Sequence, residues 1–122
     1  MTRGVVLLVD DVRQFRDGRR CIVARDPEEA LIALRANRSV ELAELWLDHD
    51  LGHDPDGRRR DVMPVVAELV RAAGEGAPYG IDRILIHSSN PAGALAIRRA
   101  LEAAGYVVER HHAPIWRHEF RP

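Results

Sequence analysis

The chain has 122 residues, 46% hydrophobic and 30% charged, with a formal net charge of −1. That size and apolar content suit one compact domain and exclude intrinsic disorder, and the near-neutral balance gives no global pull on duplex DNA. A single cysteine, Cys21, excludes a disulfide scaffold or a Cys-based zinc site within one chain, and because all 18 basic residues are arginine, no mechanism can use a lysine ammonium.

GVVLLVDD (Gly4–Asp11) is a continuous apolar run ending in two acids. Without alternation it predicts a central parallel strand covered on both faces. CIVAR (Cys21–Arg25) predicts a second short strand. Only about ten residues separate the two, too few for a comfortable crossover helix, so a loop or one helical turn is expected there. DPEEALIALRAN predicts a helix, with Asp26 as N-cap, Pro27 at the first position and Glu29 at the capping-box position. AELWLD predicts the third strand, with Trp46 and Leu47 in the core.

DVMPVVAELVRAAG predicts the next helix. Val62, Val65, Val66, Leu69 and Val70 share one stripe, Pro64 falls in the first turn, and Gly74 ends the helix. A turn-rich connector leads to IDRILIHS, the fourth strand. NPAGALAIRRALEAAG predicts a third helix, capped by Asn90, with Ala94, Ile97, Leu101 and Ala104 facing the core and Gly105 as terminator. YVVER is the fifth strand, and residues 111–122 show no clear period.

Strands alternating with helices imply a parallel sheet with right-handed crossovers. The expected fold is a flavodoxin-like three-layer α/β sandwich, strand order 2-1-3-4-5, the first helix short or absent. Residues 1–122 read as one domain with an irregular tail over 111–122.

In such sheets ligands sit at the carboxyl ends of the strands. The first strand ends at Asp10 and Asp11, the third at Asp48, His49 and Asp50, the fourth at His87, Ser88, Ser89 and Asn90. The polar residues therefore converge on one edge. Asp10, Asp11, Asp48 and Asp50 together raise one another's pKa unless a cation or arginine intervenes, and a hard divalent ion accepts such carboxylates. Singly, any of them can cap a loop or pair with Arg13. His49 and His87 can act as general acid and base across a pocket, ligate a metal, or sit hydrogen-bonded and half-buried. Ser88, Asn90 and the following helix start favour an anion such as phosphate, or simply cap the helix. Arg58–Asp61 lies beside this edge as a solvated loop that can steer a phosphate. Tail residues His111, His112, Trp116, Arg117 and His118 fold over the site, support a dimer, or pack on the sheet flank through Ile115 and Trp116. Cys21 reads as a small buried hydrophobe.

A first strand ending in two acids and a third ending in Asp48 resemble the response-regulator receiver fold. Asp48 falls at the phosphoacceptor-like position and Ser88 near the hydroxyl position after strand four. Receivers also carry a full first helix and a lysine after strand five, and this chain has no lysine. VDDVR, LDHDLG with a later glycine at Gly57, and HSSNPAG instead resemble a divergent receiver-like family described as cyclic-phosphate processing, from Gly4 to about Val108. The resemblance implies a role in handling cyclic phosphate ends, in RNA repair or nucleotide signalling. Carried over by motif position, it points to Asp10, Asp11, Arg13, Asp48, His49, Asp50, His87, Ser88 and Asn90.

The expected function is a metal-assisted phosphoesterase that opens a cyclic phosphodiester. Asp10, Asp11, Asp48 and Asp50 would hold Mg2+ or Mn2+. His49 or His87 would move a proton, and Arg13, Ser88 and Asn90 would hold the phosphate. The partner would be a phosphate-bearing small molecule or an RNA terminus. With no signal peptide and no apolar run of bilayer length, the expected location is cytoplasmic, away from membranes. The rival readings are a signalling receiver phosphorylated at Asp48 and a non-catalytic module that binds phosphate or a protein partner.

Overall fold

The computed structural model describes residues 4–111 and the backbone of 116–118. In chain order the elements are β1 (Val5–Val9), β2 (Arg13–Phe15), β3 (Ile22–Ala24), α1 (Pro27–Ala36), β4 (Leu42–Leu47), β5 (Asp50–His53), β6 (Arg59–Asp61), α2 (Met63–Gly74), β7 (Ile81–Ile86), α3 (Pro91–Ala103), β8 (Val108–Arg110) and β9 (Trp116–His118). Five strands form a parallel sheet in the order β3-β1-β4-β7-β8, which is the expected 2-1-3-4-5 arrangement.

The apolar runs build two cores because side chains alternate across a strand. Leu7, Val9, Leu45, Leu47, Ile84 and Ile86 point to one face and pack against buried residues of all three helices. Leu8, Trp46 and Leu85 point to the other and pack with Phe15. Handedness explains the asymmetry. The steps β3 to β4, β4 to β7 and β7 to β8 all run the same way along the sheet, so right-handed crossovers put α1, α2 and α3 on one face. Only β1 to β3 runs the other way, and the short segment between them has no helix to cover the second face.

That segment was expected to be a loop or a helical turn. It forms β2 instead, paired antiparallel with β9 in the register Phe15 opposite Trp116. The third layer is therefore a two-stranded ribbon, anchored by Phe15, whose ring meets Trp46 edge-on at 5.2 Å. The tail expected to be irregular contains a strand at residues 116–118; backbone pairing with β2 supplies an order that its side-chain pattern does not announce. His111 lies against Trp46 at 4.9 Å, on this ribbon-covered face and not over the acidic edge. The expectations for His112 and Ile115, and for the side chains of Trp116, Arg117 and His118, fall outside the described residues.

Helix starts follow the capping chemistry. Asp26 Oδ1 accepts from Glu29 N at 2.8 Å, and Asn90 Oδ1 accepts from Gly93 N at 3.0 Å. The second helix begins at Met63, two residues later than expected, because Asp61 is held in β6 while its Oδ1 accepts from Met63 N. Val70, expected on the buried stripe, is 37% exposed. One residue past Leu69 is a turn of about 100° toward solvent, and Ala72 takes the inward place.

Residues after β4 also depart from a simple loop. β5 and β6 form an antiparallel hairpin with His53 opposite Arg59. Its turn is Asp54-Pro55-Asp56-Gly57. Asp54 Oδ1 accepts from Asp56 N and Arg58 N, both at 2.9 Å, and Gly57 supplies a φ of 80° that a side chain would resist.

Candidate functional site

β1, β4 and β7 are neighbours in the sheet, so their carboxyl ends stand side by side. The ladder continues one residue past each strand. Asp10 N donates to Ala24 O, Asp48 N to Val9 O and His87 N to Leu47 O, at 3.0 to 3.1 Å. These bonds fix Asp10, Asp48 and His87 in register, and all three are buried. One ligand atom from each lies within 4.8 Å of the others.

Asp10 is the most heavily bonded of the three. Its Oδ1 accepts from Val12 N at 2.9 Å and Arg13 N at 2.8 Å, and its Oδ2 lies 2.8 Å from His87 Nε2. Burial by itself would raise the Asp10 carboxyl. The bond to His87, the imidazole's charge and the two amides outweigh that, and Asp10 is held below the usual carboxylate range. Burial lowers His87, against the pull of Asp10. An ionised Asp10 facing a neutral imidazole places the shared proton on Nε2.

Asp48 has the opposite balance. Burial first, and the charge of Asp10 second, push its carboxyl from the ordinary 3.8 to about 7. Arg13 moderates this from a distance, with Nη1 3.7 Å from Asp10 Oδ2 and 4.0 Å from Asp48 Oδ2. The same Nη1 donates to His87 O at 3.2 Å, so Arg13 ties the ends of β1 and β7 together.

The edge opens into a cleft of about 470 Å³. Asp11, Asp48 and Asp50 line it together with Arg13, His53, Arg59 and Arg60. Asp11 and Asp50, expected as metal ligands, stand on the wall of the cleft outside the compact group. Asp11 follows Asp10 directly, so its side chain leaves the strand end on the other side, and Asp50 opens β5 with its carboxylate engaged by His49. Burial and the charge of Asp10 raise the Asp11 carboxyl. The bond to His49, 2.8 Å from Nδ1 to Oδ1, lowers that of Asp50.

His49 is turned away from the group. Its ring lies over the start of α3, where a Cβ on Gly93 would stand 2.4 Å from His49 Cγ. Glycine is required there for the ring to fit. Ser88 and Asn90, expected to hold phosphate, are engaged in capping. Ser88 Oγ accepts from Asn90 N at 3.0 Å, and Asn90 Oδ1 takes Gly93 N. Pro91 has no N–H and Ala94 N donates to Asn90 O at 2.9 Å, which leaves little of this helix start for an anion.

Sequence reasoning missed His53 and the packing role of Gly93, and placed Arg59 only within a steering loop. DPDG between LGH and RRRD is a hairpin turn signal, and recognising it would have brought His53 and Arg59 opposite each other beside Asp50. Gly93 carries no such signal, since a close ring contact leaves no trace in the local pattern.

A family described as cyclic-phosphate processing receiver domain matches residues 5–103. No curated protein and no solved structure matches the chain at a significant level.

Proposed function

The chain belongs to the cyclic-phosphate processing receiver domain family, and from that premise we propose that it hydrolyses a cyclic phosphodiester, with a divalent metal held at the Asp10–Asp48–His87 edge. The observation that carries this reading is the state of Asp48. A buried carboxyl raised to about 7 beside an ionised neighbour is short of positive charge, and a divalent cation supplies it. The carboxylates of Asp10 and Asp48 reach within 4.8 Å of one another and are hard donors that Mn2+ or Mg2+ fits, with His87 backing Asp10 through its Nε2 proton. When bound, such an ion polarises a phosphoryl oxygen and lowers the pKa of its water.

The chain's own residues do the rest. His87 orients the Asp10 carboxylate through the 2.8 Å bond, and the Val12 and Arg13 amides lock its other oxygen. Arg13, already within 4.0 Å of both carboxylates, offers its guanidinium to the charge that builds on the phosphate. The substrate is a phosphate-bearing small molecule or an RNA terminus, as in RNA repair. Among the described residues no helix is long and apolar enough to cross a membrane. A cytoplasmic site of action fits such substrates.

Turnover of a 2′,3′-cyclic nucleotide with Mg2+ or Mn2+ tests the reading. Chelation and Asp48→Asn should each abolish it while the fold survives, and full activity in either case removes the mechanism. A stable mass adduct at Asp48 after incubation with a small phosphodonor would favour the receiver reading. Calorimetric binding of a cyclic nucleotide without product would favour a binding module.

A further inference from the structure

We infer that His53, at the end of β5, is the catalytic acid that protonates the departing ribose oxygen; this rests on the hydrolase reading above. Opening a cyclic phosphate releases a poor leaving group, an alkoxide, and a positioned proton donor contributes about 10²–10⁴ in rate. Three histidines stand near the edge. His87 is 3% exposed and shares its Nε2 proton with Asp10, so its proton serves the carboxylate. His49 has Nδ1 on Asp50 and its ring lodged on Gly93 at the start of α3. His53 alone of the three lines the cleft that holds Asp48 and Arg13. It is exposed, so solvent can reload it.

Its placement is built into the hairpin. The Asp54–Gly57 turn is closed by Asp54 N to Arg58 O and Gly57 N to Asp54 O, both 2.9 Å. The pairing of His53 with Arg59 puts the two side chains on one face of the hairpin, and both line the cleft. Arg59 shares the cleft with Asp50, on which its charge acts, and there it can address a phosphate oxygen while His53 addresses the ester oxygen.

In the chemical step, water oxygen bonds to phosphorus while the bond from phosphorus to one ribose oxygen breaks with its electron pair. The imidazolium N–H proton of His53 goes to that oxygen, one proton of the attacking water goes to solvent, and His53 recovers a proton from solvent. The net change is one water consumed and a cyclic diester converted to a monoester and a hydroxyl.

Two substrates separate this role from a structural one. In full-length protein, His53→Ala and His53→Gln should slow hydrolysis of 2′,3′-cyclic AMP by at least about 100-fold. Hydrolysis of bis(4-nitrophenyl) phosphate should stay within about threefold, because nitrophenolate departs without a proton. Added imidazole should restore part of the cyclic reaction of His53→Ala. Equal losses on both substrates, or no loss on the cyclic one, would overturn the assignment while leaving the hydrolase reading intact. If the unmodified protein turns over neither substrate, the hydrolase reading falls and the assignment falls with it.

Discussion

Replacing Asp48 by asparagine should stabilise the protein in alkaline solution and make no comparable difference in acid. The folded state raises this carboxyl from 3.8 to about 7. At about 1.36 kcal/mol per pH unit, keeping Asp48 ionised in the fold costs about 4 kcal/mol. The sign follows from the proton count. The unfolded chain releases the Asp48 proton near pH 4, whereas the folded protein keeps it to about pH 7. Stability therefore falls as pH rises through that window, and the loss is complete above it. Between pH 5 and pH 8 the change is about 2.5 kcal/mol, or about 10 °C in Tm for a domain of this size. The asparagine amide keeps an acceptor oxygen and carries no charge. The assay is thermal unfolding of both proteins at pH 5 and pH 8, in the presence of a chelator. The advantage of the variant over the parent should be greater at pH 8 than at pH 5 by about that amount. Added Mn2+ should raise the Tm of the parent at pH 8 and leave the variant unmoved. Equal destabilisation of the variant at both pH values would refute the electrostatic reasoning.

Gly93→Ala should cost about 1–3 kcal/mol in urea unfolding and weaken cyclic-nucleotide turnover, because a Cβ 2.4 Å from His49 Cγ forces the ring off Asp50. Phe15→Ala should cost about 3–5 kcal/mol, since Phe15 is 1% exposed and closes the ribbon over Trp46; tryptophan fluorescence should report the loosened face. Tyr106→Phe should cost about 1–3 kcal/mol with activity unchanged, because its hydroxyl donates to Leu69 O at 2.9 Å and accepts from Tyr79 N at 3.2 Å, far from the acidic edge.

The sheet was legible in the sequence because its strands are uninterrupted apolar runs and its helices carry recognisable caps at Asp26 and Asn90. Those signals are local, and the crossover rule converts them into a strand order without further information. The convergence of Asp10, Asp48 and His87 followed from that order alone, since each ends one of three adjacent strands. What stayed hidden depends on contacts between distant segments. β2 has an order supplied by β9, about a hundred residues later in the chain, and three residues of Arg-Gln-Phe carry no strand pattern of their own. Which carboxylates gather beside His87 was also hidden. Asp10 and Asp11 are indistinguishable as letters, and the choice is made by the amides of Val12 and Arg13, which turn Asp10 inward.

The two inward carboxylates show why one site can hold both a fixed anion and an exchangeable proton. Asp10 and Asp48 end neighbouring strands at similar depth, yet their pKa values move in opposite directions. The difference is in donors. Asp10 collects two amides and an imidazole, whereas Asp48 has one amide, that of Asp50, a distant guanidinium and the field of Asp10 itself. Neutralising Asp10 would therefore relieve Asp48, and a cation shared between them would do so more strongly. Near neutral pH such a site would be poised, because an entering cation would displace a proton that the buried carboxyl holds only weakly. Arg13 limits the contest, since its charge reaches both acids at 3.7 to 4.0 Å without satisfying either at hydrogen-bond distance. A guanidinium in direct contact with Asp48 would have neutralised it; one held back by the carbonyl of His87 leaves the carboxyl short of positive charge.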